Sequence, residues 1–109
     1  MITLTRATRI FVRAGATDLR LGFEGLHAVV QTQLQQDVLS GHLFVFCNRA
    51  RTRIKILTWD GSGLWLCAKR LERGTFAWPG SSDSELAPAQ LQAILGGLDV
   101  QSERAWYRR

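Results

Sequence analysis

The constraint that most narrows the fold is a four-residue turn, Asp60-Gly61-Ser62-Gly63, set between two runs of strand-forming residues. Two positions in it accept positive φ without steric cost, and apolar residues alternate on either side. This is a strong local signal for a β-hairpin. It predicts strands over residues 53–59 and 64–71. A third strand, residues 42–48, rich in Val and Phe, precedes them across a polar turn at 48–52. A short run at 75–78, stopped by Pro79, extends the series. The local signals therefore predict an antiparallel meander.

Further elements flank it. Residues 9–13 read as a short strand that Gly15 breaks. Thr17 or Asp18 then caps a predicted helix reaching about residue 36, because Leu19, Phe23, Leu26, Val30 and Leu34 recur at three- and four-residue steps. Gly22 and Gly25 inside it each cost about 1 kcal/mol relative to Ala. They are read as points of close approach, to the sheet in preference to a partner. Toward the C-terminus, Ser82-x-x-Glu85 fits a capping box and Pro88 a first helical position, ahead of the apolar face Leu91, Ile94, Leu95 and Leu98. The expected class is α+β: an antiparallel β-meander of three to five strands, one long N-terminal helix and one short C-terminal helix. At 109 residues a single domain, residues 1–109, is expected.

The charge is unevenly placed. The chain carries +5, with twelve arginines among its 14 basic residues. Residues 49–73 hold Arg49, Arg51, Arg53, Lys55, Lys69, Arg70 and Arg73 against Asp60 and Glu72, so this stretch alone accounts for the whole excess. In a meander, the 48–52 and 72–74 turns fall at one end of the sheet and the Asp60 turn at the other. The seven cations are therefore expected to gather at one sheet edge, a favourable arrangement for phosphate contacts. Aromatic residues share these strands: Phe44, Phe46, Trp59, Trp65, Phe76 and Trp78. Rings exposed beside cations would stack single-stranded bases. Both strand faces are apolar and two helices need a surface, so the rings are read as core.

Other chemistry has little support. Cys47 and Cys67 fall on the outer strands of the three, too far apart for a disulfide, and are read as reduced. With His27 and His42 they form no metal-ligand spacing. The carboxylates are scattered, Asp60 is a turn former, and no phosphate-binding glycine loop occurs. No catalytic residue, metal or cofactor is expected. No apolar run is long enough for a membrane span or a signal peptide, which gives the expectation of a soluble, cytoplasmic protein.

Five ordered blocks carry a family likeness. They are Gly15-x-Thr17-Asp18-Leu19-Arg20, Gly22-Phe23-x-Gly25-Leu26, Gly41-His42-Leu43-Phe44-Val45-Phe46, Arg53-Ile54-Lys55-Ile56-Leu57-x-Trp59-Asp60-Gly61 and Lys69-Arg70-Leu71-Glu72-x-Gly74-x-Phe76-x-Trp78-Pro79. Together they resemble the TnpB-type accessory protein of insertion-sequence-66 elements, which is distinct from the RNA-guided nuclease of the same name. The chain departs from that pattern at Leu21, Cys47 and Ala77, where the family often has a basic residue. The resemblance implies a non-catalytic accessory role in DNA transposition, with a separate transposase and other element-encoded proteins as partners. DNA contact through the seven cations is the expected mode; docking on the transposase without DNA contact is the alternative.

Overall fold

The computed structural model describes residues 8–79 and 82–96. It is built on one five-stranded sheet in the order β4-β3-β2-β1-β5. The strands are β1 (Ile10–Val12), β2 (Leu43–Cys47), β3 (Arg53–Trp59), β4 (Leu64–Arg70) and β5 (Ser84–Leu86). The meander β2-β3-β4 forms as expected, with Phe44 opposite Leu57 and Arg53 opposite Arg70. Asp60 holds the hairpin. Its Oδ1 accepts from the amides of Ser62 (2.8 Å) and Gly63 (2.9 Å), and its Oδ2 from the Trp65 indole (2.7 Å).

The purely antiparallel expectation is wrong. β1 runs parallel to β2, with Ile10 beside Leu43 and Val12 beside Val45. Parallel neighbours need a crossover, and residues 13–42 supply it across one face of the sheet. β5 closes the far edge antiparallel to β1. The 75–78 run is not a strand; its Phe76 amide donates to Arg51 O at 2.7 Å and its ring fills the core.

The long N-terminal helix is also corrected. Helix α1 spans Phe23–Val29 and continues through one wider π-type turn, Val30–Leu34, giving twelve residues in mid-chain. It starts late because Asp18 is used elsewhere: its carboxylate takes the Arg20 amide and guanidinium in a local turn. Leu19 and Leu21 reach the core from irregular backbone before Gly22 begins the helix in an extended conformation. It stops at Gln35, which is left-handed at φ 54°. Asp37 then caps a short 3-10 turn, Val38–Ser40, by accepting from the Leu39 amide. The glycine reading changes with this. A Cβ on Gly25 would meet the Leu21 side chain at 2.7 Å, not the sheet, and one on Gly22 would meet nothing.

Each sheet face is packed. Phe11, Phe44, Phe46 and Leu57 meet Leu26, Val30 and Val38 on the α1 side. Ile10, Val12, Val45, Ile54 and Ile56 meet Phe76 and helix α2 (Pro88–Leu95) on the other. Pro88 starts α2 as expected, and Gln90 Oε1 returns to the Ala87 amide at 2.7 Å. The capping box expected at Ser82 does not open a helix, since Glu85 lies in β5. Leu98, expected on the apolar face of α2, falls outside the described residues. Both cysteines are free; Cys47 is buried and Cys67 half-buried.

Three exposed carboxylates are held low by this fold. Asp60 lies below the carboxylate range, through the Ser62 amide first and then the Trp65 indole. The Arg20 guanidinium brings Asp18 down to about 2, and Arg9 lowers Glu85. A carboxyl whose folded pKa lies below its unfolded one adds stability that is fully present above the unfolded value. That stability is lost as pH falls toward the folded value. Urea midpoints are thus expected to stay level for these groups above about pH 5 and to decline steadily below it. In Asp60→Asn the acid-side decline should be shallower, and equal declines would disprove the assignment.

Candidate nucleic-acid interface

The turn between β2 and β3 decides where the arginines go. Asn48 Oδ1 accepts from the amides of Thr52 (2.9 Å) and Arg53 (3.0 Å), and Arg51 takes a left-handed φ of 60°. This fixed turn projects Arg49 outward and folds Arg51 inward. The Arg51 guanidinium donates to Ala14 O at 3.1 Å and lies 5.6 Å from the centre of the Trp78 ring. The Trp78 indole donates to the same carbonyl. Arg51 Nη1 is buried, with no hydrogen-bond partner among the described residues. Cys47 lies within its field: burial pushes the thiol up, and Arg51 partly opposes this. Arg51 is thereby a packing residue.

The other expected cations divide. Arg49 and Arg53 are exposed. Arg53 starts β3 directly opposite Arg70, whose guanidinium pairs with Glu72 at 3.2 Å. Lys55, on the α1 face, donates to Leu21 O at 3.1 Å. Lys69 lies on the opposite face and donates to Leu95 O, at the C-terminal end of α2, where a cation suits the helix dipole. Arg73 is exposed in the turn after β4 and lines neither depression described next.

Two open depressions meet at the arginine end of the sheet. The first, about 760 Å³, lies between residues 16–20 and the Asn48 turn. The second, about 510 Å³, lies over the paired ends of β3 and β4. Leu19 and Arg53 line both, so the two form one trough. Its walls carry Arg20, Arg49, Arg53, Lys55, Lys69 and Arg70 against Asp18 and Glu72. Five of the seven expected cations line it, Lys69 with its ammonium turned to the other sheet face; Arg51 and Arg73 do not line it.

Arg20 is the residue that sequence reasoning misses. By linear position it belongs to the charge-balanced remainder of the chain, and its loop reads as helix. The Thr17 amide instead donates to Cys47 O at 2.8 Å, which ties the loop beside β2 and brings Arg20 to the trough. Arg20 Nη2 lies 2.8 Å from Asp18 Oδ2. The Gly15-x-Thr17-Asp18-Leu19-Arg20 block is the signal that could have marked it.

The trough offers guanidinium donors for anions. Among the described residues, no group of three or more His, Cys, Asp or Glu side chains is placed to hold a metal ion. No helix among them is long and apolar enough to cross a membrane. The phenylalanines expected in the core are buried: Phe44 and Phe46 in β2, and Phe76 in the segment after β4. Trp65, at the Asp60 end, departs from that reading and is 43% exposed.

Known proteins share the chain's pattern along most of its length. The family model TnpB_IS66, described as IS66 Orf2-like protein, matches residues 8–105. The Sinorhizobium fredii protein y4hO is 37% identical over 110 residues, covering 99% of this chain and 96% of its own length. A second protein of that organism, y4jC, is 38% identical over 101 residues, covering 91% and 86%. No solved structure matches significantly.

Proposed function

The chain belongs to the IS66 Orf2-like family, with its transposition-associated accessory role, and on that premise we propose that it binds DNA phosphates in the cationic trough and assists a separate transposase. In this reading it is non-catalytic and acts in the cytoplasm. Arg20, Arg49, Arg53 and Arg70 make the principal contacts, with Lys55 flanking them on the same face.

The observation that supports this best is Arg53 set directly across from Arg70. Like charges opposed on adjacent strands destabilise a sheet. Glu72 neutralises only one member of the pair and Asp18 neutralises Arg20, while Arg49 adds to the same field. A phosphodiester lying between them offsets the repulsion and offers each guanidinium a bidentate acceptor. Contacts of this kind position the protein without reading sequence. Base specificity is therefore assigned to the transposase.

The test is a salt titration of binding to a labelled duplex. With about five phosphates neutralised, affinity should fall roughly several hundred-fold between about 50 and 200 mM salt. Affinity that barely changes across that range would overturn the proposal. Assistance is tested by co-purification with the transposase: nuclease digestion should release the partner if DNA bridges the two, whereas retention would favour direct docking.

A further inference from the structure

We infer that the edge of β4, which no strand among the described residues pairs, joins antiparallel with the same strand of a second copy, making a symmetric dimer with one continuous sheet. β4 is an edge strand of seven residues, paired one-to-one with β3 and without a bulge. Natural edges are kept from pairing by shortness, inward charge, proline or a bulge. The opposite edge has such protection: β5 is three residues long, and its Glu85 is ion-paired with Arg9 at 2.7 Å. β4 has none of it over its first five residues, Leu-Trp-Leu-Cys-Ala, and carries charge only at Lys69 and Arg70.

That charge pattern selects the occupant. Parallel alignment of two copies would set Lys69 beside Lys69 and Arg70 beside Arg70, which is repulsive. Antiparallel alignment about Cys67 pairs all seven residues and sends the cations to the far end of the other strand. Lys69 of each copy then falls opposite Trp65 of the other, on the same sheet face, since residues 65, 67 and 69 alternate to one side. Trp65 is 43% exposed, and its indole is bonded to the Asp60 carboxylate. An ammonium arriving there meets an aromatic ring and an anion together. Lys69 uses one of its three donors on Leu95 O, which leaves two for this contact. The arrangement is isologous, so both copies gain it.

The inference does not rest on the DNA reading and is tested without DNA. The full chain, stripped of nucleic acid by nuclease and high salt, is expected to sediment at twice its 12.2 kDa mass in the micromolar range. Ala68→Lys adds a third consecutive cation at an exposed edge position and should give the monomer mass with an unchanged far-UV spectrum. Directly opposed residues on antiparallel strands have Cα atoms about 4.5–5.5 Å apart, within disulfide reach. Oxidation by diamide should therefore yield a covalent dimer in the native chain and in Cys47→Ser, and none in Cys67→Ser. The cross-link on the native chain decides the matter if Ala68→Lys fails to fold. A monomer throughout, or a dimer that survives Ala68→Lys and forms no Cys67 cross-link, overturns it.

Discussion

Replacing Arg49 and Arg53 together with alanine is expected to weaken duplex binding at low salt by roughly 100-fold, about tenfold for each guanidinium–phosphate bond removed. The salt dependence should flatten by about 2 log units per log unit of salt, because each neutralised phosphate contributes roughly 0.9. The urea midpoint should hardly move. Both side chains are exposed, and the turn that carries them is held by Asn48, whose side chain the substitutions leave alone. Removing Arg53 even relieves its repulsion with Arg70. Arg73→Ala is the control from the same basic stretch. It lies outside the trough and should change affinity less than about twofold, within the usual range for a lone surface charge. Equal losses from Arg73→Ala and from the trough arginines would show a diffuse electrostatic contact instead of a site. Fluorescence anisotropy at several salt concentrations separates these outcomes.

The contrast between Arg73 and Arg20 shows what charge along the chain reveals and what it hides. The β3–β4 hairpin is a local structure: Asp60-Gly61-Ser62-Gly63 and the alternation beside it set its turn and register without help from the rest of the chain. The convergence of Arg49, Arg53 and Arg70 follows from that connectivity and was legible. The parallel docking of β1 on β2 was not, because it depends on where residues 13–42 cross the sheet. β5 was invisible for a different reason. Ser-Glu-Leu has little strand preference of its own. It is held from outside, by β1, by the Arg9–Glu85 pair and by the neighbouring Asp83 carboxylate, which accepts from the Ala14 amide at 2.7 Å. The helix start failed through competition. Asp18 has the chemistry of an N-cap, but Arg20 two residues on offers it a stronger, charged partner, and the chain stays irregular until Gly22. The loop that stays irregular is the one that the Thr17–Cys47 bond ties beside β2 with Arg20 on it, so the error in the helix and the omission in the site have one cause.

Arg51 marks the other limit, and its substitution should separate folding from binding. Arg51→Ala removes the donor to Ala14 O and the cation beside the Trp78 ring. A charged hydrogen bond is worth about 1.5–3 kcal/mol and a desolvated cation–π contact about 2 kcal/mol. Against these stands the relief of Nη1, whose burial without a partner among the described residues costs the native chain about 1–3 kcal/mol. The expected net loss is about 2 kcal/mol, or roughly 8–16 °C in Tm for a domain near 100 residues. Affinity for duplex DNA, measured well below the new Tm, should stay within about twofold, because the guanidinium that is removed does not line the trough. Arg51→Gly divides the effect further. Position 51 has φ of 60°, where a side chain costs roughly 1–2 kcal/mol that glycine avoids, so the glycine variant should be the more stable of the two. A chain that keeps its Tm but loses DNA binding on Arg51→Ala would reverse the assignment and put this guanidinium back among the phosphate contacts.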